Sequence, residues 1–176
     1  MSGKIKIFMA ALVVAVAAAW IVVAAPGWFA NQRATVADEV RGEPAPDFVL
    51  KDLAGSSFRL SEQRGKPVLL VFGTTWCPAC REEIPHLKEI YARYAKRGLV
   101  VVNIDIRESR DKASSYAEKN NLPYRLLLDE DGAVAESYGI RGVPSLILLD
   151  DAGRVAGGQG VIDQSLANMF KPKSSL

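Results

Sequence analysis

Cys77 and Cys80 are the two cysteines of a 176-residue chain, and only Pro78 and Ala79 stand between them. Thiols so spaced can cycle between a dithiol and a disulfide. The apolar run Val68–Phe72 precedes them, and a helical stretch reaching Arg97 follows, with Gly98 as its natural stop. A thiol at a helix N-terminus faces unpaired amides and the positive end of the macrodipole. Both stabilise a thiolate and lower its pKa from the free value of about 8.5. Cys77, at or just before the first turn, is therefore expected to be exposed and nucleophilic. Cys80 lies one turn on, within disulfide reach, and is expected to be more buried and less acidic. Pro78 suits the first turn because it gives up no needed N–H. The implied chemistry is attack of the Cys77 thiolate on a partner disulfide, then displacement of the partner by Cys80. Run in reverse, the same steps oxidise a dithiol.

Other uses of the pair fit less well. A disulfide between residues three apart closes too small a loop to stabilise much, and disulfide-stapled small folds carry several spread cysteines. Zinc needs four ligands, and His86 is the single histidine. Covalent haem attachment needs a histidine where Arg81 stands. A copper-delivering protein of the SCO type needs wider cysteine spacing and a distant histidine. A peroxiredoxin-like peroxidase is suggested by Thr74, three residues before Cys77, but its motif places proline at the position of Leu70. No cofactor is expected beyond the redox-active Cys77–Cys80 pair.

Three residues after Cys80 comes Glu83, on nearly the same helical face, where a carboxylate can exchange a proton with the Cys80 thiol. The competing reading is a solvated carboxylate like that of Glu82. Pro85 falls inside the helix and is expected to bend it. His86, nine residues after Cys77 and half a turn round, reads as a surface histidine. Arg81 reads as solvated.

The elements that must hold the pair follow from the apolar pattern. Pro44 and Pro46 open a folded region spanning 44–176. Phe48–Leu53 and Ser57–Leu60 read as a short hairpin. Val68–Phe72 and Leu99–Ile106 read as strands buried on both faces, since neither alternates. Ser109–Asn121 reads as a helix, Pro123–Leu128 as a strand, and Gly132–Tyr138 as a short helix. Ser145–Leu149 and Arg154–Gly158 read as an antiparallel pair about the Asp151-Ala152-Gly153 turn, and Asp163–Phe170 as a closing helix. This is an α/β fold with a mixed central sheet flanked by helices.

At the other end, Ile7–Ala25 runs for nineteen residues without a charge. In a helix that length approaches the thickness of the hydrocarbon layer. Lys4 and Lys6 precede it, which holds the N-terminus in the cytoplasm and sends the rest across. Residues 1–25 are thus expected to form a signal anchor, 26–43 a tether, and 44–176 a domain on the periplasmic side. The competing reading, a cleaved signal peptide, is weakened by the length of the run and by Pro26 directly after Ala25. A net charge of +2 with no basic block argues against nucleic acid as a partner.

Residues 44–170 resemble the TlpA/ResA-like branch of the thioredoxin superfamily, which includes membrane-tethered reductases of cytochrome c maturation. Val71-Phe72-Gly73-Thr74-Thr75-Trp76-Cys77-Pro78-Ala79-Cys80-Arg81-Glu82-Glu83-Ile84-Pro85 and Gly142-Val143-Pro144-Ser145 carry the resemblance. It implies a thioredoxin-like fold with an insertion around Ser109–Leu128. It also implies a cis Val143–Pro144 peptide beside the cysteines, although Pro144 by itself fits an ordinary trans proline opening a strand. Trp76, Pro78, Val143 and Pro144 would contact the bound partner. Related proteins carry a glutamate at the place of Glu83, and Val71 occupies the place of the buried aspartate of thioredoxin. The implied partners are exported cysteine-containing proteins such as apocytochrome c, with electrons from a membrane thiol carrier. The context points to a reductant, although a proline-first dipeptide is frequent among oxidants.

Overall fold

Val68–Gly73 contains no residue that water reaches freely, and it forms the fully buried strand β3 at the centre of the sheet. The computed structural model describes residues 40–171. Ahead of β3 lie β1 (Val49–Asp52) and β2 (Ser57–Arg59). After it come β4 (Val100–Ile106), β5 (Arg125–Asp129), β6 (Ser145–Leu149) and β7 (Val155–Gly158). The α-helices among the described residues are α1 (Pro78–Tyr94), α2 (Arg110–Lys119), α3 (Ala133–Ser137) and α4 (Ile162–Met169). The seven strands lie in the order β2-β1-β5-β4-β3-β6-β7. The neighbours β3, β4 and β5 are parallel, whereas β6 and β7 return antiparallel, so the sheet is mixed as expected.

Because successive side chains of a strand point to opposite faces, the continuous apolar runs supply two cores. Leu70, Phe72, Val102, Ile104, Ile147 and Leu149 pack on one face with Phe48, Phe58 and Tyr138. Leu69, Val71, Val101 and Leu148 pack on the other against Leu87 and Ile90 of α1 and Leu166 of α4. The helix that carries the cysteines is therefore held along its length by a buried stripe. Its C-terminal extension, a 3-10 turn over Ala95–Arg97, ends at Gly98 with φ 106°, a conformation glycine adopts at little cost.

One boundary differs from expectation. The Gly42 N–H donates to the Val155 carbonyl, and the Val155 N–H donates to the Glu43 carbonyl, so residues 42 and 43 already pair with β7. Residues 42 and 43 enter the contact through their backbone groups, with the Gly42 carbonyl also accepting from Arg154 Nη1 at 2.9 Å, so their own side chains carry no pattern of it. The expected anchor and residues 26–39 of the expected tether lie outside the described residues. Among the described residues no helix is long and apolar enough to cross a membrane.

Candidate active site

The turn from β3 into α1 sets the geometry of the cysteines. Cys77 is the N-cap residue, with φ −75° and ψ 117°, and Pro78 follows as the first helical residue. The Cys80 N–H donates to Cys77 Sγ at 3.1 Å, so the thiol itself satisfies an orphan amide of the helix. Cys77 Sγ also lies 3.7 Å from the Val143 carbonyl oxygen, to which its S–H donates. The Val143–Pro144 peptide is cis. Both cysteines are free thiols.

Cys77 is 4% exposed, which corrects the expectation of an open thiol. The helix amide covers it from one side and the Val143 loop from the other; that loop lies 66 residues away in the chain and left no local signal. Cys80, at 7% exposed, is no more covered than Cys77. Burial pushes the Cys80 thiol up to about 12, and its hydrogen bond with Cys77 adds to the rise. Next to this covered pair Trp76 is 67% exposed, a large indole presented to solvent at the mouth of the site. Arg81 reaches back to donate from Nη1 to the Thr75 carbonyl at 3.2 Å, so it ties the loop rather than floating in solvent.

Glu83 sits on α1 as the spacing requires, but its hydrogen-bond partner is His86 Nδ1 at 2.6 Å, and it hydrogen-bonds neither cysteine. The other imidazole nitrogen, Nε2, meets Asp163 of α4 at 3.1 Å. His86 thus bridges two helices, and its pKa is raised, first by the hydrogen bond with Glu83 and further by Asp163, against the opposing effect of burial. Pro85 lies inside α1, which continues through it to Tyr94.

Two acids that the sequence reading passed over lie behind the active-site loop. Asp105 of β4 is 2% exposed. Its Oδ2 is buried and without a hydrogen-bond partner among the described residues. Burial pushes its carboxyl up to about 7, helped by the charge of Glu108 and a hydrogen bond with it. Glu108 in turn accepts from the Thr75 N–H through Oε2 at 3.0 Å, a direct link to the loop that carries Cys77. Tyr116 of α2 completes the wall. Its phenol is pushed up to about 12 by burial and by the nearby charges of Cys80 and Asp105. The available signal was an aspartate inside the apolar run Leu99–Ile106, since a charge in a strand buried on both faces is seldom idle.

The chain is similar to known proteins in sequence and in fold. A profile described as the AhpC/TSA family matches residues 41–157. The thiol-disulfide oxidoreductase ResA of Geobacillus thermodenitrificans is 37% identical over 114 residues, covering 65% of this chain and 66% of the relative. The chain thus spans just under two thirds of the length of the curated relatives it matches. Among solved structures, the thioredoxin domain of a thiol-disulfide oxidoreductase from Bacteroides vulgatus superposes with a TM-score of 0.69 at 26% identity, covering 74% of this chain and 98% of that one. A secreted disulfide oxidoreductase of Mycobacterium tuberculosis, homologous to DsbE of E. coli, gives a TM-score of 0.58 at 26% identity, covering 73% and 87%.

Proposed function

The chain belongs to the AhpC/TSA family, and from that premise we propose that it is a thiol–disulfide oxidoreductase acting on exported proteins through Cys77 and Cys80. The observation that carries this reading is the placement of both thiols at the N-terminus of α1, against the cis Val143–Pro144 peptide. The helix amide on Cys77 Sγ stabilises a thiolate, which attacks the partner's disulfide. The partner leaves when Cys80 displaces it from Cys77. Trp76 and Pro78 flank Cys77 in the chain, the Val143 carbonyl lies against its sulfur, and with Pro144 these residues supply the surface on which the partner's chain rests. The Glu83 carboxylate, one turn after Cys80, is held by His86 and hydrogen-bonds neither thiol, so the exchange is written without it.

The domain works on the periplasmic side of the membrane, held by the segment 1–25. Support comes from the uncharged run Ile7–Ala25 behind Lys4 and Lys6. In that oxidising compartment a reductant must be recharged, so a membrane thiol carrier donates electrons to the Cys77–Cys80 disulfide. Its partners are exported cysteine proteins, with apocytochrome c as the chosen example. A peroxidase finds less support in the geometry: Thr74 Oγ1 is buried without a hydrogen-bond partner among the described residues, and Leu70 lies in the middle of β3.

Exchange of Cys80 for serine in the full-length, membrane-inserted protein is the test. It should leave partners trapped on Cys77 as mixed disulfides, to be identified by mass spectrometry. Recovery of glutathione adducts alone, or of none, would reject the partner class.

A further inference from the structure

We infer that Asp105 accepts the proton of the Cys80 thiol as Cys80 attacks, and returns it when the pair is reduced again. The inference rests on the proposed thiol exchange and deepens it.

The register of the sheet brings the two groups together. In the parallel pairing of β3 with β4, Gly73 stands opposite Asp105 and Val71 opposite Asn103. Paired residues of adjacent strands lie about 4.8 Å apart, and their side chains leave the sheet on the same face. On that face a Cβ built on Gly73 would lie 3.5 Å from Cys80 Sγ and 3.9 Å from Asn103 Oδ1. Asp105 therefore leaves β4 toward the face on which Cys80 covers Gly73.

A second buried aspartate shows what a structural role looks like. Asp129, at the end of β5, is fully buried and accepts hydrogen bonds from the Val134 and Ala135 amides at 3.1 and 2.8 Å. Those bonds cap α3. Asp105 caps nothing and keeps one oxygen without a partner among the described residues, which costs stability and so gives the acid no structural role like that of Asp129. Glu108 from the β4–α2 loop faces it with a hydrogen bond and a like charge, and the Tyr116 phenol of α2 lies within reach of the charges of Asp105, Cys77, Cys80 and Arg81. A carboxyl held at about 7 can take or give a proton near neutral pH.

Cys80 needs such an acceptor, because the thiolate and not the thiol is the nucleophile. Part of what raises its pKa is the hydrogen bond and charge of Cys77, and both vanish once Cys77 Sγ is bonded to the partner. In that mixed disulfide the Cys80 proton passes to the Asp105 carboxylate. The thiolate electron pair forms the Cys77–Cys80 bond, and the bond from Cys77 to the partner sulfur breaks. The partner departs as a thiolate and takes a proton from water. It is reduced by two electrons, and the cysteine pair is oxidised by the same two.

Stopped-flow reaction of the reduced full-length protein with dithionitrobenzoate separates the two steps, since attack by Cys77 releases one thionitrobenzoate and displacement by Cys80 the second. In the wild type the second phase should show an inflection near pH 7. Asp105→Asn should slow it by at least about tenfold at that pH and remove the inflection, leaving the first phase within about twofold. Glu108→Gln, which removes a like charge, should move the inflection to lower pH. A second phase in Asp105→Asn that matches the wild type in rate and pH profile would overturn the assignment. Should that variant fail to fold, an unmoved inflection in Glu108→Gln overturns it instead. Absence of the first phase in the wild type would reject the thiol-exchange function itself.

Discussion

The amide of Cys80 donates to Cys77 Sγ at 3.1 Å, so the attacking sulfur is also the N-cap of the helix that activates it. Reactivity and helix stability therefore meet in one atom and can be separated by substitution. Serine is a good N-cap, whereas alanine in place of a capping side chain costs about 1 kcal/mol. Cys77→Ser should abolish thiol exchange with little change in urea denaturation. Cys77→Ala should abolish it and also lower stability by about that amount.

The buried acid should betray itself in the pH dependence of folding. A carboxyl whose folded pKa is raised from 3.8 to about 7 binds its proton more tightly in the native state. Stability falls with pH wherever the native state holds more protons, so this contribution declines between about pH 4 and pH 7. Asp105→Asn removes the titration and with it the buried charge. It should be more stable than the wild type above pH 7, by about 1–3 kcal/mol, and equal to it at pH 4. Urea denaturation followed by circular dichroism at both pH values decides the matter. A variant no more stable at pH 8 would contradict the placement of a strained carboxyl there.

The bridge from α1 to α4 makes a smaller and separate contribution. The folded pKa of His86 is raised above 6.5 by Glu83 and Asp163, so its stabilising effect is complete below pH 6.5 and is lost as pH rises through the folded value. The ring is 38% exposed and Asp163 more so, which screens the interaction and limits it to roughly 0.2–1 kcal/mol. Asp163→Asn should flatten the stability difference between pH 6 and pH 8 by that amount. Its second-phase rate with dithionitrobenzoate should stay unchanged, since α4 does not touch the thiols.

What could be read in advance and what could not divide along sequence distance. The continuous apolar runs announced β3, β4 and β6, and the cysteine spacing placed the reactive pair at the start of a helix, because both are local patterns. Burial of Cys77 depends on the Val143 carbonyl, and the partner of Glu83 is fixed by Asp163, 77 residues beyond His86. Neither leaves a trace near the residue concerned. The placement of Asp105 on the face where Cys80 covers Gly73 needs more still, namely the register that sets Gly73 opposite Asp105. Val71 stands on the strand before the cysteines, and the acid that is present lies one strand away, on β4.

Gly73 provides the last and most local test of that juxtaposition. Its backbone has no positive φ to demand glycine, so the reason for the missing side chain lies in the space above it. A methyl group there would make an ordinary contact of 3.5 Å with Cys80 Sγ and would stand 3.9 Å from Asn103 Oδ1. Gly73→Ala should therefore fold with a stability change of less than about 1 kcal/mol, since glycine inside a strand is itself unfavourable. The same methyl fills the gap across which Cys80 would lose its proton. The second phase of the dithionitrobenzoate reaction should slow by at least about threefold, while the first, which belongs to Cys77, should not change. Equal rates in both phases would mean that the space over Gly73 is not on the path of the proton.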